Sequence, residues 1–343
     1  MKKNNKTTIK EIAERAGVSP STVSLVLNGK GEISGTTRSR VLEVVSSLNY
    51  TPRTPKKRAT TQKTIKFLKI AKHGHTVNRD HSHFISDYID GMSQEATSRG
   101  YKLQVLSYEN VSADDITDIL ATSDATAVIV LGTELSREDI QKIQDLHLPI
   151  VFIDTFYDLV EANFVDMNNG DAVYTVLEHL KSLGFTKIGY VGSETQTRNF
   201  ALRKDAFISN MATLGLPVAP EHVLSIGSTL SSAYEDSVDA LGNDIAEAYF
   251  CANDIMAYGF TKALKEKGYK VPEDVSVIGF DNLPMSITLD PPLTTIDVSK
   301  RKIGSMAITV LDELINADTM PPAVKVLVGA QLIKRASTRP KNG

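Results

Sequence analysis

The sequence predicts an α/β protein in two parts, an all-α helix-turn-helix head followed by a two-lobed body of parallel α/β sheets. Two patterns carry this. Short capped helical periods flank a Gly-Val-Ser turn near the N-terminus, and from Ile65 onward brief apolar runs alternate with helical stretches. A third observation is the charge. Met1 to Thr64 holds 13 Lys/Arg against 4 Asp/Glu, so a head of +9 precedes a remainder of −12. A basic head on an acidic body suits contact with a polyanion, although a solvated basic face gives the same count.

Length and composition set the bounds. A chain of 343 residues exceeds one ordinary domain, and 41% apolar with 23% charged residues describes a globular protein. The single cysteine, Cys251, excludes an intrachain disulfide and a Cys₄ or Cys₂His₂ zinc site. Met1–Lys10 is polar and basic without the apolar core of a signal peptide, and no window approaches the roughly 18 apolar residues of a membrane span. A cytoplasmic protein with no membrane partner is therefore expected.

In the head, Thr8 with Glu11 three residues on is a helix start, and Ile9, Ile12, Ala13 and Ala16 share one face. Gly17 ends this helix. Ser19 caps a second, with Pro20 at its first position and Val23, Val26 and Leu27 on its buried side; Asn28-Gly29 stops it. A third runs from Ser34 or Thr36 to Asn49. Two short helices around such a turn, braced by a third, form a helix-turn-helix, whose second helix presents its N-terminal side chains to base edges in the major groove. An ordinary three-helix bundle has the same outline, and the charge of the head favours the DNA reading.

The run from Thr8 through Ile12-Ala13, Gly17-Val18-Ser19 and Val23-Ser24 to Asn28, continued by Leu48-Asn49-Tyr50-Thr51-Pro52, resembles the DNA-binding head of the lactose-repressor (LacI/GalR) family. Candidate DNA contacts are Thr8, Ser19, Pro20, Ser21, Thr22, Ser24, Leu25 and Asn28. Two departures stand out. Leu25 takes a position where the family offers a polar or basic side chain; leucine contacts a thymine methyl but forms no hydrogen bond to guanine. In the linker, Ala59 replaces the leucine that wedges into the minor groove, and Pro55 fits only the first turn of a helix. Arg53, Lys56, Lys57 and Arg58 suit phosphates, so a mainly electrostatic hinge is expected. The head spans 1–51 and the linker 52–64.

In the body, strands are expected at Ile65–Ala71, Leu103–Tyr108, Ala127–Leu131 and Ile150–Asp154, with helices over Phe84–Arg99 and Ser136–Leu146. A second series has strands at Ile188–Val191, Val223–Ile226, Ala248–Cys251 and Val275–Ile278. Its helices lie near Asp171–Leu183, Arg203–Leu214, Ala233–Leu241 and Ile255–Gly268. Ligands of such sheets bind beyond the carboxyl ends of the strands, where this chain is polar: His73, Asp154, Ser193–Asn199, Asn253-Asp254 and Asp281-Asn282.

Arg203-Lys204-Asp205-Ala206-Phe207, Cys251-Ala252-Asn253-Asp254 and Val277-Ile278-Gly279-Phe280-Asp281-Asn282 are similar to the same family's ligand-binding core, which is periplasmic-binding-protein-like. The resemblance implies three crossings between lobes, about 65–166 with 298–328 in one and 167–297 with 329–340 in the other. It implies ligand contacts from Arg203, Asp281 and Asp254, with Asn253 beside Asp254, and from His83 and Phe84. His73, Asp154, Arg198 and Asn199 complete the candidate set. Paired carboxylates with an arginine suit a sugar or similar polyol.

His73, His75, His81 and His83 cluster in one segment, but their spacing fits neither a zinc-finger nor an HExxH pattern. A cleft loop is expected there, with no metal and no cofactor. There is no GxGxxG after a strand and no GxxxxGK[ST] loop, which weighs against the main rival, a cytosolic α/β enzyme. An exported solute-binding protein would carry no basic head. The resulting expectation is a ligand-responsive, sequence-specific DNA-binding regulator, a repressor of a sugar-utilisation operon. It would act as a homodimer on double-stranded operator DNA, with a small-molecule effector or, as in some of the family, a protein corepressor.

Overall fold

The computed structural model describes residues 8–27, 33–48, 50, 62–72, 74 and 79–341, and the chain divides into two units, Met1–Thr61 and Gln62–Gly343. Asn28, Arg53, Pro55, Lys56, Lys57, Arg58, Ala59, His73 and His75 fall outside the described residues.

The first unit holds α1 (Ile9–Ala16), α2 (Pro20–Leu27) and α3 (Gly35–Ser47). Each start is fixed by a hydroxyl that accepts a backbone N–H: Thr8 from Glu11, Ser19 from Thr22 and Ser34 from Thr37. Gly17 closes α1 at φ +61°, a left-handed conformation that a side chain would strain. Ile12, Ala13, Ala16, Val23, Val26 and Val41 form the small core of this unit.

The second unit contains two six-stranded sheets. Its elements in chain order are β1 (Thr64–Ala71), α4 (Ser82–Ser98), β2 (Lys102–Glu109), α5 (Ala113–Ala121), β3 (Ala127–Leu131), α6 (Arg137–Gln144), β4 (Ile150–Ile153) and β5 (Phe164–Met167). There follow α7 (Asn169–Ser182), β6 (Ile188–Ser193), α8 (Arg198–Thr213), β7 (Val223–Ile226), α9 (Leu230–Ala240), β8 (Ala248–Cys251) and α10 (Asp254–Glu266). The chain ends through β9 (Ser276–Phe280), α11 (Met285–Thr288), β10 (Thr294–Val298), α12 (Lys300–Asn316), β11 (Lys325–Val328) and β12 (Ala330–Ile333).

The first sheet runs β11-β5-β4-β3-β1-β2, all parallel; the second runs β12-β10-β9-β8-β6-β7, with only β12 antiparallel. The chain thus passes from the first sheet to the second after β5, returns after β10 through α12, and ends by giving β11 to the first and β12 to the second. Central strands such as β3 (Ala-Val-Ile-Val-Leu) are buried throughout, because helices cover both faces of a parallel sheet. The returning α12 lies against α4, held by Arg99–Asp312 at 2.5 Å and by Arg301 with Asp87 and Asp90 at 3.3 and 3.1 Å. Among the described residues no helix is long and apolar enough to cross a membrane.

Helices α8 and α5 and strand β4 are among the elements that differ from the sequence expectation. Helix α8 begins at Arg198, five residues before Arg203, because Thr197 caps it by accepting the Phe200 N–H. Helix α5 was not anticipated; a reciprocal Ser112–Asp115 capping box starts it, and Ile116 and Leu120 bury its inner face. The strand at Ile150 stops at Ile153, since Asp154 turns to φ +58°.

Candidate functional site

In the first unit, α2 leaves Ser19, Pro20 and Ser21 exposed at its start, Thr22 and Ser24 half-buried, and Leu25 39% exposed. Ser19 Oγ is committed to the cap, 3.1 Å from the Thr22 N–H, and also meets the Ser21 and Thr22 hydroxyls at 2.6 and 2.9 Å. Thr8 is likewise the α1 cap. The outer face of α2 therefore offers short hydroxyls and one leucine, chemistry suited to phosphate oxygens and to the thymine methyl.

In the second unit, a cavity lies where the carboxyl ends of the strands of both sheets meet. It encloses about 460 Å³ of space between atoms, part of it continuous with solvent. The first lobe contributes His81, Phe84 and Ile85 around the start of α4, Thr133 after β3 and Asp154 after β4. The second contributes Thr197, Asn199, Phe200 and Arg203 from α8 and its cap, Asn253 at the cap of α10, and Asp281 after β9. The N-termini of α4, α8 and α10 all face this space, so their backbone dipoles favour electron-rich ligand atoms.

Arg203 is 3% exposed and is the central cation. Its guanidinium donates to Asn169 Oδ1 at 3.0 Å and the Ala252 carbonyl at 2.6 Å, and contacts Met167 sulfur at 3.0 Å. It stacks over the Phe280 ring at 3.8 Å and stands 3.6 Å from Asp281 Oδ1. That oxygen is buried and, among the described residues, accepts no hydrogen bond. Burial pushes the Asp281 carboxyl up to about 6, against the pull of Arg203 and Lys300.

Asp154 is tied instead to the protein. It accepts from Tyr88 Oη at 2.9 Å, from Asn199 Nδ2 at 3.1 Å and from the Thr133 hydroxyl, and burial raises its pKa despite these bonds. The Asn199 bond spans the two lobes. Beneath the cavity, Asp166 is pushed up to about 8 by burial and then by Asp154. Asp154 and Asp281 also adopt φ of +58° and +105°, which L side chains rarely take. Two strained, buried carboxylates at strand ends of the two sheets, both lining one cavity, are a mark of a functional site.

The structure brings Phe84, Asp154, Asn199, Arg203, Asn253 and Asp281 to the cavity and leaves three expected residues out of its lining. His83 is exposed. Arg198 donates to the Phe156 carbonyl at 2.9 Å and lies over the Tyr157 ring, tying α8 to the first lobe beside the cavity. Asp254 is fully buried below it, accepting from the Leu283 N–H at 2.7 Å and the Thr295 hydroxyl at 2.5 Å. It is a strut between α10 and β10, under Gly279, where a Cβ would lie 2.3 Å from its Oδ1. His81 and Thr197 come from segments expected at the cleft though not singled out, and the unanticipated lining residues are Ile85, Thr133 and Phe200. Thr133 was within reach of the strand-end rule, since it lies two residues past the end of β3, and Phe200 sits one turn before Arg203.

Residues 8–53 match the family model of bacterial regulatory proteins, lacI family, and residues 177–338 match that of the periplasmic binding protein-like domain. The chain is 29% identical over 336 residues to the HTH-type transcriptional repressor PurR of Pasteurella multocida (strain Pm70), covering 97% of this chain and 98% of that one. To the repressor of the same name from Mannheimia succiniciproducens it is 30% identical over 313 residues, covering 90% and 92%. These relatives are transcriptional repressors, not enzymes. Among solved structures, the transcriptional regulator CelR–cellobiose complex superposes with a TM-score of 0.72 at 21% identity, covering 96% of this chain and 99% of that one. The Lac repressor dimer bound to operator and the anti-inducer ONPF gives 0.71 at 24% identity, covering 98% and 100%.

Proposed function

Because the chain belongs to the LacI family of DNA-binding transcription repressors, we propose that its effector binds between the lobes against Arg203 and Asp281 and thereby changes operator affinity. The observation that carries this is Arg203 itself. A guanidinium has five N–H donors, and the hydrogen bonds to Asn169, Ala252 and Met167 leave capacity for a ligand beside an Asp281 oxygen that accepts nothing.

A donor and an acceptor side by side match neighbouring hydroxyls, so a sugar or related polyol or amino sugar is the proposed effector, and a sugar-utilisation operon the proposed target. A flat heterocycle is the second reading. Phe84 and Phe200 in the lining favour it, as do relatives whose name, PurR, refers to purine.

The proposed mechanism is linkage. Two copies pair through their bodies in the cytoplasm and set two heads on a pseudo-palindromic operator. The effector acts only through its differential affinity for the lobe arrangements that do and do not hold DNA. Thr8, Pro20, Ser21, Thr22, Ser24 and Leu25, with Ser19 holding the helix start, form the proposed DNA face. Asn28 extends it, and Arg53, Lys56, Lys57 and Arg58 add phosphate contacts.

The test is a thermal-shift panel of sugars, amino sugars, sugar phosphates and nucleobases, repeated on Arg203→Lys and Asp281→Asn. A stabilising compound whose effect both variants lose identifies the class and supports the cleft. A hit unaffected by either variant sinks the assignment of these residues, and silence across the panel shifts the reading to a protein corepressor.

A further inference from the structure

We propose that Glu221, His222 and Asp244 form a divalent transition-metal site of the zinc type in the second lobe. It lies at the amino ends of β6, β7 and β8, away from the cleft at their carboxyl ends.

His222 carries the proposal. Its side chain is 1% exposed, yet among the described residues neither ring nitrogen has a hydrogen-bond partner. Buried imidazoles ordinarily satisfy at least one nitrogen, and a metal ion is one of the partners that explain an exception. Nε2 lies 3.7 Å from Asp244 Oδ2, and the ring stands edge-on to Tyr249, which fixes its direction. Glu221 precedes it in the 3-10 turn Pro220–His222, so one donor atom from each of the three residues falls within 4.8 Å of the others. Ligand atoms around a tetrahedral ion with bonds of about 2.1 Å stand roughly 3.4 Å apart. The His222–Asp244 spacing is already close to that value, and the carboxylate of the exposed Glu221 lies within 4.8 Å of both.

One imidazole with two carboxylates suits zinc, nickel or copper better than calcium, and leaves one position for water or a fourth donor. Lys187 Nζ holds the other Asp244 oxygen at 2.5 Å. It leaves Oδ2 facing the histidine but adds a competing positive charge, so micromolar rather than structural affinity is expected. The ion would join the turn before β7 to the loop before β8. None of its three ligands comes from the histidine-rich segment His73–His83.

The test is equilibrium dialysis of the full chain against micromolar ZnCl₂, with metal counted by mass spectrometry and melting followed in parallel. One zinc per chain and a higher Tm are expected. Asp244→Asn and Glu221→Gln, both at exposed carboxylates, should weaken binding by roughly tenfold or more. Lys187→Met should strengthen it several-fold by removing the competing cation. Absence of retained zinc overturns the proposal, as does binding that Asp244→Asn and Glu221→Gln leave unchanged. Binding lost on replacing His73 and His75, but not Asp244, assigns the ion to the histidine-rich segment and overturns it equally. Should His222→Gln fail to fold, the two carboxylate variants decide.

Discussion

Helices α2 and α8 both begin on a hydroxyl cap and both are assigned here to meet a ligand, yet they work in opposite surroundings. Ser19, Pro20 and Ser21 are exposed, the Ser19, Ser21 and Thr22 hydroxyls are satisfied by one another, and Leu25 is left open on the outer face. Thr197 is 7% exposed, and the helix it starts carries Asn199, Phe200 and Arg203 into a space shared with two buried carboxylates, Asp154 and Asp281. The head obeys every local rule. The cleft breaks several, with buried charge, an acceptor without a donor and left-handed aspartates. A surface that reads a polyanion tolerates solvent around it, whereas a pocket must withhold its groups from water to favour one ligand.

The largest test of this contrast is Arg203→Ala. Removing the cation leaves Asp281 and Asp154 buried without it, a loss of about 3–5 kcal/mol for a broken buried pair. The body should melt on the order of 10 °C lower. No substitution on the outer face of α2 should approach this, and a drop under about 2 °C for Arg203→Ala would show that the acids do not depend on it.

Next comes Leu25→Ala. The side chain is 39% exposed and supports little of the core, so the melting of the chain should change little while operator binding weakens by about 1–3 kcal/mol. The loss should be concentrated at one base position in a panel of operator variants. A uniform loss across all variants would place Leu25 outside the base-reading set.

A third prediction uses pH. Burial, followed by the Asp281 charge, pushes Asp254 up to about 8, against roughly 3.9 in an unfolded chain. Between these values the folded state binds more protons than the unfolded one, so this group's contribution to stability falls as pH rises from about 4 to about 8. Asp254→Asn keeps an acceptor for the Leu283 N–H, and its amide N–H can donate to the Thr295 hydroxyl once that hydroxyl turns from donor to acceptor. It should raise Tm at pH 8 by a few degrees and flatten the slope, while Asp166 and Asp281, shifted in the same direction, keep a remainder. A steeper slope in the variant would contradict the assigned burial.

The same contrast explains what was legible in the sequence. Thr8, Gly17, Ser19, Pro20 and Ser34 act within a few residues of themselves, so spacing alone placed them. In the cleft, the strand-end rule and the family resemblance led to Asp154, Asn199, Arg203, Asn253 and Asp281. Which face a residue takes was decided by packing. Arg198 and Asn199 are neighbours, yet one turns to the Phe156 carbonyl and the other into the cavity. Asp254 was hidden by a backbone approach at Gly279 that no pattern announces, and His81 was masked among three other histidines. Helix α5 was lost for the converse reason: two turns with an acidic start show too little apolar period to register.

The smallest effect is the most discriminating, because it compares one chemical change in both places. Ser19→Ala and Thr197→Ala each remove a cap worth about 1 kcal/mol. In the head, the loosened start of α2 should weaken binding to all operator variants alike, with effector affinity unchanged, since the hydroxyl is spent on the cap rather than on a base. In the body, the same truncation enlarges the wall of the cavity and removes a hydroxyl beside Asn199 and Phe200. Effector affinity should then fall by more than the cap alone accounts for, while DNA binding in the absence of effector stays within about twofold. Equal and purely structural losses at both sites would mean that Thr197 is a cap and nothing more, and that the ligand rests on the Arg203 side of the cavity.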